Sequence, residues 1–179
     1  GLHSLNCLLV YLLGSSRFVG WRISFVAALV FSARERHHEA VIWYAALPEL
    51  LVFLFSAGTI LLWLRWLETS RERWLVASVL TFVLALLSKE SAVALCGVLP
   101  ILGWIYGSQR RRAWTASAFF LAAGAVYFLA SYLGQKDNQH YRDGTFEASL
   151  FFVPVLMRSI IRSYWIWGLL SLPLLLLRK

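Results

Sequence analysis

ALPELLVFLFSAGTILLWLRW, residues 46–66, runs for 21 residues with one acid, Glu49, near its start and one base, Arg65, near its end. The hydrocarbon layer of a bilayer, roughly 30 Å thick, takes about 20 apolar residues as a helix. The stretch therefore has the length of a membrane span. Pro48 suits a first helical turn, where its missing N–H has no partner to lose. Glu49 beside it either complements the positive end of the helix or belongs to a site.

The composition agrees with a membrane chain. Of 179 residues, 60% are hydrophobic and 15% charged, against about 25% charged in soluble domains. Nine Trp, seven Tyr and twelve Phe suit a chain that needs aromatic anchors at lipid–water boundaries. The net charge of +8 is dispersed among apolar segments rather than gathered on a stripe, so positive membrane loops explain it and nucleic acid is not expected as a partner. Cys7 and Cys96 both sit in apolar runs and read as small hydrophobes rather than a disulfide.

Working outward, Leu2 to Leu13 is a partial span and Phe18 to Ala33 the next, with Arg22 near its start. Trp74 to Ser88 and Ala92 to Tyr106 are two short spans, and Ala113 to Leu133 is one of full length. Residues 148–162, with Arg158 and Arg162 four apart, read as an interfacial amphipathic helix. Tyr164 to Leu177 is the last candidate. The expected fold is all-α: a polytopic transmembrane bundle of about seven spans plus one interfacial helix, forming a single transmembrane domain over 1–179. The opening GLHSLNCLLVYLL begins without Met and inside a helix, so the chain is expected to be an N-terminally truncated fragment of a larger membrane domain.

Loop charge sets an orientation. Loops 14–22, 65–73 and 107–112 hold Arg17, Arg22, Arg65, Arg71, Arg73, Arg110, Arg111 and Arg112 against Glu68 and Glu72. Loops 32–39, 88–91 and 133–147 hold Arg34, Arg36, Lys89, Lys136 and Arg142 against six acids: Glu35, Glu39, Glu90, Asp137, Asp143 and Glu147. The arginine-rich set is expected on the cytoplasmic side. Lys89 and the stretch RERHHEAV, residues 34–41, then share the extracytoplasmic side.

Two polar clusters stand out there. Trp74 to Tyr106 is 33 residues, about 50 Å as helix, too long for one span and too short for two. A hairpin must turn near Ser88–Ser91, carrying Lys89 and Glu90 into a partly desolvated position where ions pair or bind something. The other cluster is Arg36, His37, His38 and Glu39, followed by Trp43 and Tyr44. Adjacent histidines cannot share one helix face as an i, i+4 pair can, so a divalent metal is not indicated. His3 and His140 are isolated and read as ordinary interface residues.

Together these segments carry a resemblance. FSARERHHEAVIWYAALPELL, residues 31–51, resembles a span ending in H-P-x-H-x-E-x-V-x-W followed by a helix that opens with an acid and Leu. LALLSKESAVALCGVLP, residues 84–100, is similar to an S-K-E-x-A…L-P segment, and LHSLNCLLVYLL, residues 2–13, to a preceding H-x-x-N-x-x-L-H helix. The chain thus resembles, over most of residues 1–110, polytopic glycosyltransferases of the GT-C superfamily. The nearest branch is the protein O-mannosyltransferase-like and tetratricopeptide-linked mannosyltransferase-like enzymes. Here RERHHE lacks the usual Pro after the first His.

The resemblance implies transfer of a sugar from a polyprenyl- or dolichyl-phosphate carrier to a protein, lipid or glycan acceptor on the extracytoplasmic face. A carboxylate would activate the acceptor hydroxyl while cations stabilise the departing phosphate. It places the catalytic acid upstream of Gly1. It makes Lys89 the candidate for carrier phosphate and Glu90 a group that positions Lys89 or meets the sugar; His38, Glu39 and Arg36 are further donor-site candidates. No cofactor is expected beyond the lipid-linked substrate, and the partners are membrane lipids, donor and acceptor. The bacterial plasma membrane is preferred to the endoplasmic reticulum. The alternatives are a transporter or flippase, and a non-catalytic membrane scaffold.

Overall fold

The computed structural model describes residues 1–18, 20–33, 47–107 and 110–135, with 157, 158 and 161. Among these there is no strand, and helices account for nearly all of them. The order is α1 (Leu2–Leu13), a π-turn (Gly14–Phe18), α2 (Trp21–Ala33), α3 (Leu47–Thr69), α4 (Glu72–Ser88), a 3-10 turn (Glu90–Ala94), α5 (Leu95–Tyr106) and α6 (Arg110–Gln135). The chain forms two compact units, Gly1–Ser131 and Tyr132–Lys179. Of the second, only the end of α6 and residues 157, 158 and 161 are described.

Among the described residues two helices, α3 and α6, are long and apolar enough to cross a membrane. Of the other four, α1 keeps its expected bounds and α4 gains two residues at its start, whereas α2 and α5 begin three residues later than the sequence suggests. The span expected from Phe18 begins at Trp21, because the π-turn runs through Phe18 and Gly20 follows at φ +82, a left-handed conformation that glycine adopts without steric cost. The 33-residue run from Trp74 does break where expected. Lys89 sits in extended backbone at φ −164, ψ 139 between α4 and the 3-10 turn. Residues 148–162 and 164–177 lie outside the described residues, apart from 157, 158 and 161.

Cross-helix contacts fix an up-and-down arrangement in the first unit. α1 and α2 run oppositely, since His3 near the start of one meets the Ser32 carbonyl near the end of the other. Asn6 of α1 donates to the Leu50 carbonyl of α3 at 3.0 Å, joining the starts of those two helices. α3 and α4 are antiparallel: Ser78 Oγ donates to Thr59 O at 2.9 Å, and Thr59 Oγ1 donates to Thr81 Oγ1 at 3.1 Å. α5 and α6 are antiparallel too, with Gly103 against Ala113 at one end and Cys96 Sγ donating to Phe120 O at 3.5 Å further along. One end of the bundle therefore gathers the arginines of 65–73 and 110–112, where Arg112 pairs with Glu72. The opposite end holds the starts of α1 and α3, the end of α2, and Lys89.

The centre is aromatic. Trp63 is fully buried; its ring lies 4.8 Å from Trp66 and meets Phe120 edge-on at 5.3 Å, and Phe82 meets Phe120 at 5.5 Å. The indole N–H groups of Trp63 and Trp66 find no acceptor among the described residues. This qualifies the expectation that tryptophans serve as boundary anchors: Trp21, Trp104 and Trp114 are exposed, but Trp63 and Trp66 are core. The outer faces of α4 and α6 remain apolar, with Leu80, Leu87, Phe119, Val126 and Leu129 all exposed, the pattern of helices that face lipid.

Between α3 and α4, stability comes from packing and from the hydroxyl bonds, because apolar burial drives little once both sides face hydrocarbon. Ser78→Ala is expected to lower stability by about 0.6–2 kcal/mol, the range for an interhelical hydrogen bond in lipid. Titration of the purified chain with a denaturing detergent, followed by far-UV circular dichroism, measures this; an unchanged midpoint would mean that the bond contributes nothing.

Candidate functional site

The site is built at the end of the bundle opposite the arginines. α3 begins with Leu47 and Pro48, and Glu49 in its first turn faces the break after α4. There the extended backbone of Lys89 stops the helix and turns its side chain across to α3. The Lys89 ammonium and the Glu49 carboxylate form an ion pair. Each remains accessible, at 34% and 53% of its side-chain surface, so a ligand can reach either.

From the sequence, Glu90 either positions Lys89 or meets the sugar; in the structure the side chain paired with Lys89 is that of Glu49, 40 residues earlier. The physical reason is local: Glu90 begins the 3-10 turn and is exposed, and its carboxylate pairs with no cation among the described residues.

Around the pair, α1 and α2 build a polar and aromatic wall. His3 stacks on Phe31 at 5.7 Å, and Phe31 stacks on Phe53 of α3 at 5.0 Å. His3 Nε2 lies 3.4 Å from Ser32 O. Asn6 is fully buried, holds the first turn of α3 through Leu50 O, and keeps its Oδ1 without a donor among the described residues. His3 and Asn6 are thus placed beside the site, though the sequence reading gave His3 no more than an interface role. The signal for Glu49 was available: an acid inside an apolar run seeks a base on the same side, and Lys89 has the matching loop parity.

Arg36, His37, His38 and Glu39 lie outside the described residues, as do Trp43, Tyr44 and His140. Among the described residues no group of three or more His, Cys, Asp or Glu is placed to hold a metal ion. What the arrangement offers chemically is one accessible ammonium paired to a displaceable carboxylate, with Glu90 beside it on the chain. An ammonium of this kind binds phosphate as a point charge. Compared with known proteins, the chain matches no family model, no curated protein and no solved structure.

Proposed function

We propose that the chain is part of a multi-pass membrane glycosyltransferase that takes its sugar from a polyprenyl- or dolichyl-phosphate carrier, with the donor phosphate bound at Lys89. The observation that carries this reading is convergence. The segments holding the resemblance begin at residues 2, 31 and 84, yet their polar members His3, Asn6, Glu49 and Lys89 meet at one end of the bundle. That is the end the loop charges assign to the extracytoplasmic side. In the unliganded state Glu49 neutralises Lys89; donor phosphate displaces the carboxylate and takes the ammonium. Glu90 then lies beside the sugar, and on this reading Arg36, His38 and Glu39 complete the donor site.

Transport is less well supported. The buried polar side chains Asn6, Thr59, Ser78 and Ser117 are engaged with backbone carbonyls of their own or neighbouring helices, the usual way of holding membrane helices together rather than a path for a solute.

Photolabelling tests the reading. A polyprenyl-phosphate sugar with a photoreactive group near the phosphate is expected to label the chain saturably within residues 84–100, with competition by unlabelled donor. Label that never saturates, or that falls at the arginine end, would overturn it.

A further inference from the structure

The arginine end has a feature that sugar transfer leaves unused. A cavity of about 400 Å³ opens between the end of α1, with its π-turn, and the last turns of α3. Ligand cavities run to roughly 300–1,000 Å³, so this one has room for part of a ligand. Its wall includes Leu12 and Leu61, and its polar margin Ser15, Ser16, Arg65 and Glu68. π-turns inside helices often mark functional positions, and this one carries both serines.

The polar groups select an amphiphile with an anionic head. Arg65 Nη1 bonds Glu68 Oε2 at 3.3 Å, and the arginine side chain stays 61% exposed. A guanidinium has five N–H donors in a planar fork, so donors remain for a phosphate while Glu68 is retained. Ser15 Oγ donates to Leu12 O at 3.3 Å and Ser16 Oγ to Leu13 O at 2.9 Å. The serine oxygens can still accept, which suits the hydroxyls of a glycerol headgroup.

The rest of this end has the same character. Arg22 stacks over Trp21 at 5.3 Å, Arg73 over Trp74 at 4.9 Å and Arg110 over Trp104 at 5.8 Å. Indole rings prefer the headgroup level of a bilayer, and arginines beside them attract anionic lipid. An apolar wall leading to a cationic margin inside such a collar fits an acyl chain that ends in a phosphate.

We infer that this cavity binds one anionic glycerophospholipid of the surrounding bilayer, with an acyl chain against Leu12 and Leu61 and the phosphate on Arg65. The inference rests on the membrane reading and is independent of sugar transfer. The test is native mass spectrometry of the full chain, released from mild detergent with equal amounts of phosphatidylglycerol and phosphatidylcholine. One phosphatidylglycerol is expected to be retained at least about tenfold over phosphatidylcholine, a difference of about 1.4 kcal/mol. Arg65→Gln, which removes the fork, and Leu61→Trp, which fills the cavity, should each abolish the preference. Arg71→Gln, at the same end but outside the cavity, should keep it.

Equal retention of both lipids, or a preference unaltered by Arg65→Gln, overturns the site, and so does equal loss in Arg71→Gln, which would reveal diffuse charge alone. Circular dichroism of each variant identifies any that fails to fold, and Arg65→Gln carries the test if Leu61→Trp does. Flotation with phosphatidylcholine–phosphatidylglycerol vesicles separates the two readings. A chain that does not float loses both the membrane reading and this site, whereas one that floats without lipid preference loses the site alone.

Discussion

The Lys89→Met variant is expected to bind a sugar-loaded polyprenyl phosphate about 10- to 100-fold more weakly than the parent chain. A hydrogen bond to a charged group contributes about 1.5–3 kcal/mol, and each 1.4 kcal/mol is a factor of ten in affinity. Methionine keeps the length and apolar stem of lysine, so the loss reports the ammonium rather than packing. Stability should change little, because an ion pair whose members are 34% and 53% exposed belongs with surface pairs worth about 0–1 kcal/mol. Glu49→Gln works in the opposite direction. On the proposed reading the carboxylate competes with the donor for Lys89, so its neutralisation should tighten donor binding. Competition against the photoreactive donor measures both variants on one scale, and unchanged binding by Lys89→Met would remove Lys89 from the donor site.

Trp63→Ala should be the most damaging single change within the bundle, costing about 3–5 kcal/mol as buried aromatic truncations do. Trp63 touches Trp66 and Phe120 and lies 3.3 Å from where a side chain on Gly103 would begin, so its removal leaves a void shared by α3, α5 and α6. Trp63→Phe separates shape from chemistry. It loses part of the ring system but also the indole N–H that has no acceptor among the described residues, and burying such a group costs about 1–3 kcal/mol. The phenylalanine variant is therefore expected to recover most of the loss. Detergent-denaturation midpoints of the three chains decide it; equal destabilisation by both variants would mean that the core requires the whole indole rather than an aromatic ring.

The helices were legible because hydropathy acts locally. Runs such as 46–66 and 113–133 announce α3 and α6 by length alone, and the 33 residues from Trp74 cannot be accommodated without the break at Lys89. Their ends were less legible, since π-turn geometry at Gly14–Phe18 and the left-handed Gly20 depend on a few torsions that no hydrophobic pattern encodes. Half of the site could be read as well: Lys89 stood out as an ion inside an apolar segment. Its partner did not, because Glu49 has an adequate local role at the start of α3 and only the packing of α3 on α4 brings the two together. The same blindness to packing hid Trp63 and Trp66, whose composition suggests a boundary and whose neighbours make them core.

The separation of 40 residues between Glu49 and Lys89 also bears on how such a chain is made. Synthesis runs from the N-terminus, so α3 leaves the ribosome first and the α4–α5 hairpin follows it. On the membrane reading, the acid is already at the bilayer edge when the lysine arrives. Lysine is among the costliest residues to insert, but here its counter-ion has been delivered beforehand. On that reading the Glu49–Lys89 pair, besides joining α3 to the break after α4, eases entry of the α4–α5 hairpin during biogenesis.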